Sequence, residues 1–255
     1  MLKEHFQLHA EIEETHWWFR ARRRIMVLLA NHIVPKSKDK IVVDVGCGTG
    51  ANIAALSRDY ACRGFDTSDE AIRLASKRYH DVQFIHSQYP GVSRISENGA
   101  RLVLLMDVLE HIEDDHAFLS GILKTQKAGS YLMLMVPADM TLWSHQDINH
   151  GHFRRYSRND ILALADRLSV RIHLLSYFNF YLYPAVRIIR FFNRIMKRTW
   201  GDAGTDLRTP GPVLNKLLEG IFFTESQRLL NLLRGRRTSG FPMGVSLIAI
   251  FRKDP

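Results

Sequence analysis

The chain has 255 residues, 46% of them hydrophobic and 24% charged, with 16 glycines, 8 prolines and two cysteines. That composition suits one α/β unit with additions and excludes a disordered polyelectrolyte, a collagen-like fibre and a disulfide scaffold. Cys47 and Cys62 make no cystine framework, so a reducing, cytoplasmic compartment is the expectation. The formal charge of +9 directs attention to anionic partners, but it is uneven: residues 1–150 carry 17 Lys and Arg against 19 Asp and Glu, residues 151–255 carry 18 against 7.

In chain order, residues 11–33 read as one helix, apolar at Trp17, Trp18, Ile25, Leu28 and Leu29 and basic at Arg20, Arg22, Arg23 and Arg24. The polar start of the chain lacks the apolar stretch of a signal peptide. The β-branched run 40–45 reads as a buried parallel strand, followed by a glycine-rich turn and a helix through Leu56. A strand over 61–65 ends at Asp66, and Ser68 or Asp69 caps a helix to about Tyr79. Strands follow at 82–86 and 102–106, separated by a loop over 90–99. A helix spans 114–125, and a strand over 131–136 stops at Pro137. A segment dense in His, Trp and Arg comes next, then a helix over 159–168, a strand near 170–175 and a last strand over 245–251. The alternation argues a parallel sheet covered on both faces. It divides the chain into a helical lid (1–38), a core (39–176 with 241–255) and a helical insertion (177–240). The longest uncharged apolar run, 172–186, contains His173, Ser176, Asn179 and Pro184 and is shorter than the roughly 20 residues a bilayer requires.

The strongest local signal is Asp44-Val45-Gly46-Cys47-Gly48-Thr49-Gly50, a strand running into a tight turn that opens a helix. Glycines there permit positive φ and close approach of a ligand to the backbone. Gly46-x-Gly48-x-x-Ala51 also satisfies the loose dinucleotide fingerprint. Asp44 separates the two readings, because a carboxylate beside the turn repels a pyrophosphate and suits the ammonium of an amino-acid cofactor. Asp66 and Thr67 then stand where ribose hydroxyls would lie.

These residues resemble the first motif of class I S-adenosylmethionine-dependent methyltransferases. Phe65-Asp66 resembles the second, and Leu104-Leu105-Met106-Asp107-Val108-Leu109-Glu110-His111-Ile112 resembles the post-strand-4 motif of the type 11 group. The resemblance covers roughly residues 40–137 and the final strand. It implies a Rossmann-like seven-stranded sheet whose last strand is antiparallel, with S-adenosyl-L-methionine as cofactor. It assigns Asp44, Gly46, Cys47, Gly48, Gly50, Asp66, Thr67 and Asp107 to the cofactor. Many relatives carry an acidic residue after strand 3 for the adenine amine; this chain has Ser87 and Gln88 there, which serve through hydrogen bonds.

Methyl transfer to a hydroxyl benefits from a general base. Candidates are His111 and, in the segment after Pro137, His145 or His152, with Tyr156 or Arg155 orienting the acceptor as part of the catalytic set and Trp143, Arg154 and Arg155 binding it. Trp143-Ser144-x-His followed by Gly151-His152-x-Arg154-Arg155-Tyr156 resembles a segment of bacterial methyltransferases of glycan and lipid modification. The competing reading is a polar network that anchors a lid. Glu110, His111, Glu113 and Asp114 are donor types a divalent ion accepts, yet a solvated acidic helix start explains them equally, and no metal is expected.

The insertion carries Arg187, Arg190, Arg194, Lys197 and Arg198 along one helical face and Ile188, Ile189, Phe192, Ile195 and Met196 along another, after an aromatic run at Tyr177, Phe178, Phe180, Tyr181 and Tyr183. A second amphipathic segment spans 212–233. This composition fits a helix in an anionic membrane interface; packing on the core or a dimer contact fits it too. Nucleic acid is disfavoured, because no Asp/Asn-Pro-Pro-aromatic motif follows strand 4 and no cysteine stands near that edge as a nucleophile. The expectation is a methyltransferase acting on an oxygen of a small, lipid-linked or glycan acceptor at the inner membrane face. The alternatives are an RNA methyltransferase and a non-catalytic cofactor-binding subunit. Nothing in the sequence sets the oligomeric state.

Overall fold

Helix α1 (Lys3–Ile12) and helix α2 (Trp17–Ile33) meet at an elbow where one continuous helix was expected. His16 explains the break: its backbone is extended and its ring Nδ1 accepts from the Trp18 amide at 3.2 Å, capping α2. The β-branched run forms β1 (Ile41–Val45), and the glycine turn opens only a four-residue helix, α3 (Ala51–Ala54). Then come β2 (Ala61–Asp66), α4 (Asp69–Arg78) capped by Ser68, β3 (Val82–His86), β4 (Leu102–Met106), α5 (Asp115–Thr125) capped by Asp114, and β5 (Tyr131–Pro137). The chain continues through α6 (His145–Asn149), α7 (Arg158–Arg167), β6 (Arg171–Phe178), α8 (Tyr183–Met196), α9 (Pro212–Leu233) and β7 (Ser246–Arg252). The computed structural model describes residues 3–88, 99–196 and 209–254, without the side chains of 3–5 and 193–196. Most of the loop over 90–99, the side chains of Arg194, Ile195 and Met196, Lys197, Arg198 and most of the link over 201–211 lie outside the described residues.

The seven strands run β3-β2-β1-β4-β5-β7-β6, with the first five parallel and β7 antiparallel to both neighbours. Strand order reverses between β1 and β4, and open α/β sheets bind ligands at the carboxyl ends of such a switch point. The glycine turn after β1 and Asp107 after β4 both lie there. Two cores flank the sheet. Met26, Leu29, Ile53, Phe222 and Leu229 pack on one face; Leu119, Ile122, Tyr156, Ile161 and Leu164 pack on the other.

Part of the insertion follows the core-packing alternative. In α9, Phe222, Leu229 and Leu230 are buried, Trp17 meets Phe222 edge-on, and Glu219 pairs with Arg20 at 2.8 Å and Arg24 at 2.9 Å. The C-terminal half of α9 is therefore core. The aromatic run is also mostly interior: Phe178 and Tyr183 are buried and Phe180 stacks on Phe241, while Tyr181 is exposed. Arg190 turns inward, its side chain 12% exposed, and donates to Leu142 O at 2.6 Å.

Candidate active site

The cofactor side is built by backbone. The Gly46 and Cys47 amides both donate to Phe65 O, at 2.7 and 2.9 Å, and so fold the turn onto β2. Gly46, Gly48 and Gly50 all have positive φ. Nothing lies within 4 Å of where a Gly48 Cβ would stand, so the turn presents bare backbone to a cavity of about 670 Å³ lined by Gly46, Cys47, Gly48, Asp66, Thr67 and Asp107. A Cβ on Gly50 would stand 2.7 Å from the Phe84 ring; that glycine serves packing against β3 and does not line the cavity. Asp66 Oδ2 accepts from Gly48 N at 2.8 Å and Oδ1 from Ser68 N at 2.9 Å. Burial pushes its carboxyl up while those amides oppose the shift.

Asp44 lies beneath the turn, 1% exposed, with neither carboxyl oxygen hydrogen-bonded among the described residues. Burial, with Asp66 nearby, drives its carboxyl well above the usual range. It does not line the cavity, so any effect on an ammonium passes through the turn or a water. Ser87 and Gln88 also stand outside the cavity: the Ser87 amide donates to Asp66 O at 3.0 Å and Gln88 is exposed. Asp107, at φ 60°, takes two hydrogen bonds from Arg22 of α2, Nη2 to Oδ1 at 2.9 Å and Nη1 to Oδ2. The Arg22 guanidinium lies 4.1 Å from the Trp18 ring centre. The lid helices thus wall the site with Phe6, His9, Glu13, Trp18 and Phe19.

The opposite wall holds His111, His152 and the buried carboxyl groups of Glu110 and Asp147. His152 Nδ1 lies 2.9 Å from Asp147 Oδ1, and the carboxylate fixes Nδ1 as the donor, leaving Nε2 as acceptor. Asp147 is fully buried and also takes Arg155 at 2.8 Å and the Ser144 amide at 2.9 Å. Burial works against its ionisation, but the His152 bond and the charges of Arg155 and Arg190 prevail, holding the carboxyl well below the usual range. His111 meets the His152 ring edge-on, centroids 4.7 Å apart. Burial, with His152 beside it, pushes the His111 imidazole down to about 4, so it is neutral at physiological pH. Glu110 is 1% exposed with Oε2 lacking a partner among the described residues; burial and the Asp107 charge push its carboxyl well up. One ligand atom each of Glu110, His111 and His152 lies within 4.8 Å of the others.

Other expected residues lie elsewhere. Tyr156 leaves the candidate catalytic set: it is 2% exposed in the core beneath α7, its hydroxyl placed against Asp115 Oδ2 at 2.9 Å and Leu109 O at 3.1 Å. Burial and Asp115 push its phenol up, the wrong direction for a base. His145 is exposed at the start of α6, outside the cavity, as is half-buried Trp143. Arg154 is spent on Asp115 at 3.2 Å and Glu113 O at 2.6 Å. Glu113 and Asp114 are exposed, and Asp114 caps α5, so the helix-start reading accounts for both. Of the expected substrate residues, only Arg155 lines the cavity. Sequence reasoning missed Asp147 as the orienting carboxylate, although Ser144-x-x-Asp147 is a capping box that marks it.

A family model described as a methyltransferase domain matches residues 17–169. The ubiquinone biosynthesis O-methyltransferase of Serratia proteamaculans is 26% identical over 191 residues, covering 63% of this chain and 78% of that protein. Two solved structures share the fold. The methyltransferase in complex with the Haloferax volcanii Trm112 activator gives a TM-score of 0.59 at 15% identity over 98% of both chains. The Haemonchus contortus phosphoethanolamine N-methyltransferase 2 in complex with S-adenosyl-L-methionine gives 0.55 at 13% identity, covering 91% of this chain and 52% of that one. More than half of the chain is thus methyltransferase domain, and the protein belongs to the class I S-adenosylmethionine-dependent methyltransferases.

Proposed function

We propose that the protein methylates an oxygen of a hydrophobic, lipid-linked or glycan acceptor at a membrane surface. The observation that carries the oxygen assignment is the Asp147–His152 pair in the wall of the cofactor cavity. When bound, S-adenosylmethionine supplies an electrophilic methyl carbon on a sulfonium. His152 Nε2 would take the proton of the acceptor hydroxyl as that oxygen receives the methyl group. Asp147 stabilises the imidazolium that results, and neutral His111 beside it adds no opposing charge. The relative named as an O-methyltransferase agrees with this acceptor atom.

The membrane reading rests on α8 and the first turns of α9. Val186 and Ile189 of α8 line the cavity, while Ile188, Phe191 and Phe192 are 57%, 54% and 52% exposed and Val213, Leu214 and Leu217 of α9 are exposed as well. Apolar side chains this exposed, beside exposed Arg187, suit an interfacial helix. No described helix is long and apolar enough to cross a membrane.

The test is transfer of isotopically labelled methyl to lipid and glycan extracts, read by mass spectrometry. His152→Ala and Asp147→Asn should lower turnover at least about 100-fold with cofactor affinity unchanged. Wild-type rates in both variants, or label found only in RNA, would overturn the proposal.

The Glu110–His111–His152 cluster with its unpartnered Oε2 supports a second reading, in which a divalent cation polarises the acceptor hydroxyl in place of base catalysis. Activity lost on chelation and restored by Mn²⁺ selects it; chelator-resistant activity rejects it.

A further inference from the structure

The elbow between α1 and α2 carries a carboxylate that neither the acceptor chemistry nor the family motifs require. Glu13 is 9% exposed. Burying a charge is costly unless it is paired, and the pairing of Glu13 is specific. Glu13 Oε1 accepts from Thr49 Oγ1 at 2.8 Å and from Arg78 Nη1. Thr49 belongs to the cofactor turn. Arg78, at the end of α4, also donates to Thr49 O at 3.3 Å. Next in the chain, Glu14 accepts from Arg23 Nη1 at 2.6 Å and from the Tyr79 hydroxyl. The lid is therefore clasped to the cofactor turn and to the helix after the ribose strand. The same elbow faces the site: Phe6 and His9 of α1 and Glu13 of the elbow line one cavity with Gly46, Gly48 and Thr49. Glu13 Oε2 makes no hydrogen bond among the described residues.

We infer that Glu13 is the latch of a cofactor gate. With the clasp made, α1 encloses the cofactor against its turn. Release of the demethylated cofactor after each turnover requires the Glu13 contacts to Thr49 and Arg78 to break. Glu13 is a positioning residue: it acts through Thr49 and the lid and leaves the reacting atoms alone. Because the latch grips the cofactor turn, this holds whichever acceptor the enzyme uses and whether or not His152 is the base.

The experiment measures dissociation of S-adenosylhomocysteine from the full chain by stopped flow, using Trp17 and Trp18 fluorescence at the cavity wall. Glu13→Gln keeps the shape and the Thr49 bond but loses the carboxylate charge that faces Arg78. A charge-assisted hydrogen bond is worth enough to speed release by roughly tenfold or more. Arg78→Met should give the same acceleration, and the double variant no more than either alone, since both break one contact. A role confined to fold stability would lower the melting temperature and give additive effects without this shared change in release rate. Tyr79→Phe, which loosens the neighbouring Glu14 contact outside the cavity, serves should either charge variant misfold; it should speed release severalfold. Hydrogen exchange over residues 6–16 should rise in each variant with cofactor bound. Release within twofold of wild type in folded variants, or additive effects in the double variant, overturns the latch. Wild-type cofactor binding and acceptor turnover would stand untouched by that result.

Discussion

Replacing Asp66 tests the cofactor geometry most directly. Each Asp66 oxygen already accepts one backbone amide, Gly48 N on Oδ2 and Ser68 N on Oδ1, so each keeps a lone pair for a ribose hydroxyl. A hydrogen bond to a charged acceptor contributes about 1.5–3 kcal/mol. Asp66→Asn leaves one acceptor oxygen and sets an NH2 against one of the two amide donors. It loses one ribose bond and loosens one attachment of the turn, which weakens binding by about 3 kcal/mol, or roughly 100-fold in Kd. Asp66→Ala removes both ribose bonds and both amide acceptors and should weaken binding further. Calorimetric titration with S-adenosylmethionine and S-adenosylhomocysteine reads the effect, with circular dichroism as the check on folding. Both ligands carry the same ribose and should weaken by the same factor. A Kd within threefold of wild type, or a loss confined to the methylated form, would refute the placement of the ribose at Asp66.

The remaining predictions concern charge and surface. His111 is held down to about 4, so the unfolded chain takes up its proton first as pH falls through about 6.5. The fold should then lose about 2 kcal/mol between pH 7 and 5 through this group, a loss His111→Asn removes in urea titrations; equal pH slopes would contradict it. Glu225 accepts from the Phe180 and Tyr181 amides at 2.7 and 3.1 Å, and burial pushes its carboxyl up to about 7. Its stabilising contribution is present below pH 4.5 and lost as pH rises through 7, so Glu225→Gln should be more stable than wild type at pH 8 by up to about 3 kcal/mol, and an unchanged melting temperature there refutes this. Phe191→Ser with Phe192→Ser should abolish flotation with anionic vesicles while leaving cofactor affinity intact, and full flotation of the double variant would remove α8 as the membrane contact.

The sheet was legible because its strands are short β-branched or Leu-rich runs bounded by turn residues. β3 and β4 fall at their expected limits, and β7 is displaced by one residue. The cofactor turn was legible because glycine at positive φ leaves a local signature. What escaped was whatever depended on distant partners. Gly50 looks like its neighbouring glycines, and only the Phe84 ring behind it shows that it is a packing residue. Tyr156 and His152 share one aromatic, basic segment; the turn after α6 sends one to Asp115 in the core and the other to Asp147 at the cavity. Asp147 was invisible as an orienting carboxylate because its role needs His152 and Arg155 from the loop after α6 and Arg190 from α8 to converge on it. The elbow at residues 13–16 was hidden for a related reason. The helical pattern continues through it, and the chain bends where His16 caps α2 and Glu13 turns to Thr49.

Part of the charge imbalance has a physical explanation inside the molecule. Arginines of both halves of the chain are bound to carboxylates, including Arg154, Arg155 and Arg190 of the basic C-terminal half. Arg22 meets Asp107, Arg23 meets Glu14, Arg20 and Arg24 share Glu219, Arg154 meets Asp115, and Arg155 and Arg190 converge on Asp147. Several of these pairs are substantially buried, where screening by salt is weak, and Arg22–Asp107, the Arg20 and Arg24 pairs with Glu219, Arg154–Asp115 and Arg190–Asp147 join the lid, the histidine segment or a helix of the insertion to another part of the fold. A surplus that looks like a polyanion-binding face in the sequence is thus partly the means by which the coverings are fastened around the cofactor. The arginines that line the cavity, Arg22, Arg23, Arg155 and Arg190, are held by carboxylates, and two of them, Arg155 and Arg190, converge on the carboxylate that orients His152.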